Sequence, residues 1–242
     1  MISRLVHWFT PATPRHTVPR FHLQWHLTNA CNLHCRHCYQ DHQPEPDITF
    51  ETVRATLDQA FDLLAFLRRV RQRPDLKLRL TLTGGEPLLS PVLFPLLELL
   101  STQCSANDVE CALLTNGTLI DRDCAHRLAR YQPVYVQVSL DGPEALHEDM
   151  RGRGSFAPAV AGLQHLRQAG VTTSISFTAH AGNYRSFPEV ARLGRELQVD
   201  RVWADRLIPC GRGHELATAL MTPTQTEEFL HLMRQARSDA ER

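Results

Sequence analysis

Strand-like and helix-like segments alternate six times along this chain, and this alternation limits the possible fold more than any other feature. The strand-like segments are residues 21–28, 76–83, 109–115, 134–140, 171–179 and 199–208, of which the first alternates apolar and polar side chains in the strand period. Strict alternation predicts parallel strands joined by right-handed crossovers. Eight such units close a barrel and six leave it open. We therefore predict an α/β fold, a partial (β/α)6 barrel of the TIM type that is open on one side.

Helix start signals precede the helix-like segments. They are Thr49, Ser90 before Pro91, Asp121, Ser155, Ser186 with Glu189 in a capping box, and Thr222 with Gln225. A length of 242 residues suits one barrel domain at 21–209. Residues 1–20 contain three prolines and no periodicity, so we expect an extension over the barrel surface. Residues 210–242 are expected to form a loop and a helix.

Composition excludes several classes of partner. The formal net charge is +0, so we expect neither nucleic acid nor an anionic membrane as a partner. No apolar run is long enough for a signal peptide or a membrane span, and a reducing, cytoplasmic location is expected. Four of the seven cysteines are scattered, which is not typical of a disulfide framework. Cys104, Cys111 and Cys124 are expected to be buried small hydrophobes, and Cys210 to lie on the rim of the barrel.

Three cysteines, Cys31, Cys35 and Cys38, fall within eight residues just after the first strand-like segment. A loop is required, because no regular helix or strand turns all three thiols toward one point. Three convergent thiolates suit a soft metal centre, either zinc or an iron–sulfur cluster. A structural zinc site is normally closed by four protein ligands. His34 and His37 are candidate fourth ligands, so the loop by itself leaves both metals open.

Further motifs follow the other strand-like segments at their carboxyl ends, where barrel enzymes build their active sites. They are Thr83-Gly84-Gly85-Glu86-Pro87, Thr115-Asn116-Gly117, Ser139-Leu140-Asp141-Gly142, His180-Ala181-Gly182-Asn183 and Pro209-Cys210-Gly211. The paired glycines of the first motif allow a close approach of the backbone to a ligand. The glutamate after them offers a carboxylate to a cation such as an ammonium group. These positions predict one shared site at the mouth of the barrel.

With the cysteine loop and the Gly-Gly-Glu-Pro turn together, residues 21–209 resemble the radical S-adenosylmethionine (SAM) superfamily. The resemblance implies that Cys31, Cys35 and Cys38 bind a 4Fe–4S cluster, whose open fourth iron chelates the amino and carboxylate groups of SAM. It also implies that Gly84, Gly85 and Glu86 hold the SAM amino group. In that family one electron from the cluster cleaves SAM to a 5′-deoxyadenosyl radical, which abstracts hydrogen from a substrate. An electron donor such as flavodoxin or ferredoxin is implied as well.

Other positions match the family less specifically. His37 precedes the third cysteine, at a position that is usually aromatic in the family and lies near the adenine; a solvated loop histidine is the alternative. Ser139 resembles the SAM-contacting serine or threonine after the fourth strand. Asn116 and Asp141 lie on the same rim, although Asn-Gly and Asp-Gly are also ordinary turn dipeptides.

Arginine and histidine follow the fourth strand-like segment. Arg151 or Arg153 is a candidate partner for the SAM carboxylate, since a guanidinium fork matches a carboxylate. His147 is expected to be a helix-surface histidine rather than a catalytic one.

The run from Val138 to Gly170 looks like the branch of peptide-modifying and cofactor-maturing enzymes. That branch includes sulfatase-maturing enzymes, pyrroloquinoline quinone and mycofactocin maturases, thioether-forming peptide maturases and haem-modifying relatives. Its members usually continue into a cysteine-rich C-terminal SPASM or twitch domain, whereas no cysteine follows Cys210 here. We expect either a natural minimal enzyme or a core without its auxiliary domain.

Two classes of function remain. The first is a radical SAM enzyme, with a ribosomal peptide or protein as the expected substrate and a small molecule or cofactor precursor, such as a nucleoside or tetrapyrrole, as the alternative. The second is a non-enzymatic metal-binding or redox-sensing domain. The Gly-Gly-Glu-Pro turn and the motifs at the strand ends favour the enzyme, because a sensor requires neither.

Overall fold

A single parallel sheet of six strands, in the order β1-β2-β3-β4-β5-β6, forms the centre of the molecule. The computed structural model describes residues 19–40, 46–103 and 108–240. The strands are β1 Arg20–His26, β2 Lys77–Thr83, β3 Val109–Thr115, β4 Tyr135–Ser139, β5 Thr173–Ala179 and β6 Arg201–Arg206. Every neighbouring pair is parallel. The predicted partial (β/α)6 barrel, open between β1 and β6, is confirmed.

Helices connect the strands on one side of the sheet. They are α1 Phe50–Val70, α2 Leu93–Gln103, α3 Arg122–Ala129, α4 Glu144–Arg151, α5 Phe156–Gln168, α6 Phe187–Glu196 and α7 Pro223–Ala240. Shorter 3-10 segments occupy Pro87–Leu89, Tyr184–Ser186 and Gly211–Ala219. The separate helix α4 was not predicted from the sequence. Gly152 ends it at a φ of 110°, a conformation that side-chain-bearing residues rarely adopt.

The two faces of the sheet differ in polarity. Leu80, Val136, Ile175 and Phe177 point toward the helices and are fully buried in the hydrophobic core. Their neighbours along each strand point the opposite way, because side chains alternate across a strand. The sheet therefore presents an apolar face to the helices and a largely polar face to the barrel interior.

The six predicted helix starts fall into two groups. Three side chains accept a hydrogen bond from a first-turn N–H: Thr49 from Thr52 at 3.2 Å, Asp121 from Cys124 at 2.8 Å and Thr222 from Gln225 at 3.2 Å. Ser155 and Ser186 lie at the N-cap positions of α5 and α6, so these two helix starts are confirmed, but neither side chain caps its helix and the capping box predicted at Ser186 is wrong. The N-cap predicted at Ser90 is wrong as well, because this residue ends the preceding 3-10 segment and α2 begins at Leu93. The hydroxyls of Ser90, Ser155 and Ser186 donate instead to the carbonyl oxygens of Leu27, Gly152 and Asn183. A hydroxyl can donate as readily as it accepts, so a serine before a helix does not fix its partner.

Two of the scattered cysteines lie in the described residues outside the site. Cys111 and Cys124 pack against the hydrophobic core, and burial raises the pKa of their thiols to about 12 and about 11. Cys104 and most of the predicted extension, residues 1–18, lie outside the described residues. Among the helices of the described chain, none is long and apolar enough to span a membrane.

Candidate active site

A cavity of about 480 Å³ opens at the carboxyl ends of the strands. Its walls bring together most of the site residues predicted from the sequence: Cys31, Cys35, His37, Cys38, Gly84, Gly85, Asn116, Ser139 and Arg151. Residues from motifs far apart in the sequence thus share one space, because the carboxyl ends of parallel strands meet at one edge of the sheet. Glu86 and Asp141 lie fully buried behind this wall, and Arg153 is exposed to solvent.

The loop with Cys31, Cys35 and Cys38 leaves β1 and turns its three thiols into this cavity. Cys31 Sγ accepts from the backbone N–H of Leu33 at 3.4 Å and from the amide of Asn116 at 3.9 Å. Burial raises the pKa of the Cys31 and Cys35 thiols, and repulsion from the Cys38 thiolate adds to the rise at both, although Arg151 opposes it at Cys35. A bound cation or iron–sulfur centre would offset this repulsion.

The donor set fits an iron–sulfur cluster. Within the described residues, no three His, Cys, Asp or Glu side chains are arranged to hold a single metal ion. A cubane cluster does not require such convergence, because each cysteine binds a different iron. Three thiols around a shared cavity, with space beyond them, therefore suit a 4Fe–4S cluster that keeps one iron open.

The turn at Gly84 and Gly85 packs directly on the cysteine loop. Gly85 N–H donates to Thr28 O and Glu86 N–H donates to Ala30 O, both at 2.7 Å. A Cβ at Gly85 would lie 2.3 Å from Ala30 O, and one at Gly84 would lie 2.5 Å from Thr28 O. Both glycines are thus required for the backbone of β2 to approach the loop after β1, independently of any bound ligand.

The carboxylate of Glu86 is fully buried and accepts three hydrogen bonds. The donors are Leu88 N–H at 3.1 Å, Thr115 Oγ1 at 2.7 Å and Asn116 N–H at 2.8 Å. Burial raises the pKa of this carboxyl, although the hydrogen bonds oppose the rise. Glu86 therefore joins the loops after β2 and β3. Its predicted contact with the SAM amino group stays a prediction.

A buried ion pair lies next to the cysteine loop. Arg151 Nε donates to Asp141 Oδ2 at 2.6 Å, and Thr178 N–H donates to Asp141 Oδ1 at 2.8 Å. Arg151 Nη1 lies 4.0 Å from Cys35 Sγ. Burial by itself would raise the pKa of Asp141, but the guanidinium of Arg151 outweighs this effect and holds the pKa below its usual range. This arrangement places a fixed positive charge beside a predicted cluster ligand.

His37 contacts the same ion pair and is not a solvated loop histidine, because its side chain is only 10% exposed. Burial lowers its pKa to about 4, so the ring is neutral at pH 7. Its Nε2 lies 3.3 Å from Arg151 Nη2, and a guanidinium can only donate, so Nε2 accepts and Nδ1 carries the proton. Nδ1 is buried without a hydrogen-bond partner among the described residues. A polar atom of a bound ligand would satisfy it.

The expectation of a surface position for His147 is wrong. The side chain is fully buried in α4, its Nδ1 accepts from Asp141 N–H at 3.3 Å, and its ring packs edge-on against Phe156. Sequence reasoning also gave no role to Asn183, whose amide donates to the carbonyl oxygens of Asp141 and Thr178. Its position after β5, in a polar motif on the rim, was the available signal.

Polar residues on the inner face of the sheet extend the site toward the barrel interior. Gln24, Gln137, Ser176, Thr178 and Asp205 line the cavity below the rim. None of them was singled out from the sequence. The period-two pattern of the strands was the available signal, and it is clearest for Gln137, Ser176 and Thr178, each of which lies one position away from a fully buried core residue.

Comparison with known proteins identifies the family. Residues 25–194 match the family model described as the Radical SAM superfamily. The chain belongs to the radical SAM superfamily. Members of this superfamily are enzymes that bind a 4Fe–4S cluster and SAM, and solved structures of similar fold contain bound AdoMet.

The relatives fall into two functional groups. Mycofactocin maturase MftC of Mycobacterium ulcerans is 34% identical over 200 residues, which cover 80% of this chain and 49% of that protein. Pre-heme d1 synthase of Dinoroseobacter shibae is 32% identical over 88% of this chain and 50% of that protein. Fe-coproporphyrin III synthase of Methanosarcina barkeri is 29% identical over 86% of this chain and 49% of that protein. The chain thus spans about half the length of these curated relatives.

A solved structure supports the fold. The structure described as native anSMEcpe with bound AdoMet and Cp18Cys peptide superposes with a TM-score of 0.61 at 23% identity, covering 78% of this chain and 51% of that one. At this identity the likeness concerns the fold alone.

Proposed function

We propose that this chain is the catalytic core of a radical SAM enzyme that modifies a peptide or protein. The observation that carries the proposal is the shared cavity, whose wall holds Cys31, Cys35 and Cys38 together with Gly84 and Gly85. The three thiols bind the cluster, and the glycine turn offers close backbone contact to SAM. When bound, the cluster and SAM supply an electron and a 5′-deoxyadenosyl radical that abstracts hydrogen from the substrate.

The residues of the chain then have positioning roles. Ser139 and Asn116 present polar groups to SAM at the cavity wall. Arg151 offers Nη atoms to the SAM carboxylate, while Asp141 fixes its Nε. His37 offers Nδ1–H to a polar atom of the ligand. The cavity excludes bulk water from the reacting atoms, as a reactive radical requires.

A peptide substrate is favoured by the similarity to mycofactocin maturases, which reaches 34% identity over 80% of this chain. The cavity of about 480 Å³ lies within the size range of pockets that bind small ligands, roughly 300–1,000 Å³.

Tetrapyrrole modification is the second candidate. The similarity to pre-heme d1 synthase, at 32% identity over 88% of this chain, is the observation that favours it.

The test is anaerobic reconstitution with iron and sulfide, followed by measurement of 5′-deoxyadenosine from SAM and a strong reductant. We expect about four iron and four sulfide per chain, the content of one 4Fe–4S cluster. Cys35→Ala should abolish 5′-deoxyadenosine formation. Cys124→Ala is the matched control, because this thiol packs against the hydrophobic core, and it should behave as wild type. Stoichiometric zinc without SAM cleavage would refute the proposal.

A second assay separates the substrate classes. The rate of 5′-deoxyadenosine formation is measured with short precursor-type peptides and, separately, with iron coproporphyrin. Acceleration by a peptide, with a mass change in that peptide, supports the maturase. Acceleration by the porphyrin alone supports the second candidate. A flavodoxin or ferredoxin as electron donor, a cytoplasmic location and the lack of nucleic acid or membrane partners stay predictions.

A further inference from the structure

The segments that follow the two edge strands of the open sheet meet beside the cavity. β1 and β6 are the edge strands, and no hydrogen-bonded pairing joins them in the described sheet. The cysteine loop follows β1, and the segment Cys210–Gly213 follows β6. We call this second segment the clamp. It lies against the backbone of the cysteine loop at its third cysteine.

Direct contacts join the clamp to the loop. Gly213 N–H donates to Cys38 O at 3.3 Å and also to Cys210 O at 2.9 Å, a shared bond that fixes the clamp against itself and against the loop. A Cβ at Gly211 would lie 2.5 Å from the carbonyl carbon and oxygen of Tyr39 and 2.8 Å from Cys38 O. One at Gly213 would lie 3.1 Å from Ile208 O and 3.4 Å from His37 O.

Gly211 combines two constraints. Its φ is +56°, the left-handed region that side-chain-bearing residues rarely adopt. Its Cα hydrogen also faces peptide backbone rather than a flexible side chain, so an added methyl group cannot be relieved by a rotamer change. Relief must move either the clamp or the peptide groups that follow Cys38 and Tyr39, the first of which is bonded to the Cα that bears the Cys38 thiol.

We propose that Gly211 and Gly213 are positioning residues, which lock the third cluster cysteine in place by packing the chain after β6 onto the cysteine loop. The inference rests on the proposed function, since it takes Cys38 as a cluster ligand. Neither glycine lines the cavity. They act through the backbone of residues 37–39. Because β1 and β6 are not paired, this contact is what joins the two edges of the described sheet at the mouth of the barrel.

The experiment compares glycine variants of the reconstituted chain. Gly211→Ala is matched with Gly154→Ala, because Gly154 also has a positive φ, of +80°, while a Cβ there meets nothing within 4 Å. Backbone strain is thus present in both variants and the contact with the cysteine loop in only one. The measurements are iron and sulfide content, the rate of cluster loss to an iron chelator, and the change in the cluster EPR spectrum on SAM addition.

We expect Gly211→Ala to lose its cluster on the order of ten-fold faster than wild type, a typical effect of mutating a group that orients a metal ligand. Its EPR response to SAM should weaken, whereas Gly154→Ala should match wild type in both respects. Equal rates of cluster loss for Gly211→Ala and Gly154→Ala would overturn the proposal.

Two further cases are a Gly211→Ala variant that does not fold and a wild-type chain that takes up no cluster. If Gly211→Ala does not fold, Gly213→Ala takes its place, because its Cβ contacts are longer. Faster cluster loss at an unchanged melting temperature then supports the clamp, and a wild-type rate overturns it. A wild-type chain that takes up no iron and sulfide refutes the proposed function and the clamp with it, whereas a loaded wild type with unaffected variants refutes the clamp alone.

Discussion

The buried pair of Asp141 and Arg151 should show strong energetic coupling. Its charged atoms are 2.6 Å apart, and the two side chains are 0% and 10% exposed. Asp141→Asn leaves the guanidinium buried without a counter-charge, which typically costs about 3–5 kcal/mol of unfolding free energy. Arg151→Met likewise leaves the carboxylate of Asp141 buried without a counter-charge, although Thr178 N–H still donates to it. Because the double variant leaves neither charge unpaired, we expect its cost to fall about 2–3 kcal/mol short of the sum of the single costs.

Urea unfolding of the four chains at pH 7, under reducing conditions and at matched iron content, measures this coupling. The control is the pair of Arg192 and Glu196, 2.7 Å apart but 60% and 55% exposed. The same cycle there, with Arg192→Met and Glu196→Gln, should give a coupling below about 0.5 kcal/mol, as for other exposed pairs on one helix. A coupling for Asp141 and Arg151 no larger than that of the control pair would refute the reasoning.

Two further predictions concern the sheet and its rim. Arg20 and Arg79 donate to Glu110 and lower its pKa to about 2, from an ordinary value near 4.5. A carboxyl group whose pKa is lowered by folding stabilises the folded state at pH values above its unfolded-state pKa. Glu110→Gln should therefore lower the free energy of unfolding by about 1–2 kcal/mol at pH 6, after allowance for solvent screening. The difference between the two chains should vanish in acid unfolding curves as the pH falls to about 2. Gly85→Ala places a methyl group 2.3 Å from Ala30 O and should lower the free energy of unfolding by about 1–3 kcal/mol. Urea unfolding measures this change. An unfolding midpoint equal to that of the wild type would contradict the close approach of this turn to the cysteine loop.

The strands could be predicted from the sequence because each has one apolar face. Leu78, Leu80 and Leu82 alternate with polar residues in β2, and all three are fully buried. The ends of the strands were predicted less accurately: the segment predicted as a strand at 199–208 is a strand only at Arg201–Arg206. Where the apolar alternation fades, backbone hydrogen bonding decides the end of the strand, and the sequence does not show that directly.

The rim positions were predictable, but the pairs among them were not. Parallel topology requires Asp141 and Arg151 to lie near the cavity, because both follow β4. It does not show that they bind each other, nor that His37, 114 positions before Arg151, contacts the same guanidinium. Such pairs depend on side-chain geometry across loops. The same reason explains the burial of His147, because the sequence does not show which face of its helix packs against the loops of the rim.

The open sheet gives its inner face a composition unlike that of a closed barrel. Closed eight-stranded barrels fill their interior with bulky apolar side chains in layers. Here Gln24, Gln137 and Ser176 line the interior cavity instead, because a sheet with two free edges leaves space inside. That space is what a cofactor and a substrate side chain require. The positions of the loops at its mouth depend on contacts with the strands, such as those of Tyr39 and Gln40 with His26, and on contacts between the loops themselves. The bond of Gly213 to Cys38 O is such a contact, and it joins the first unit of the barrel to the last.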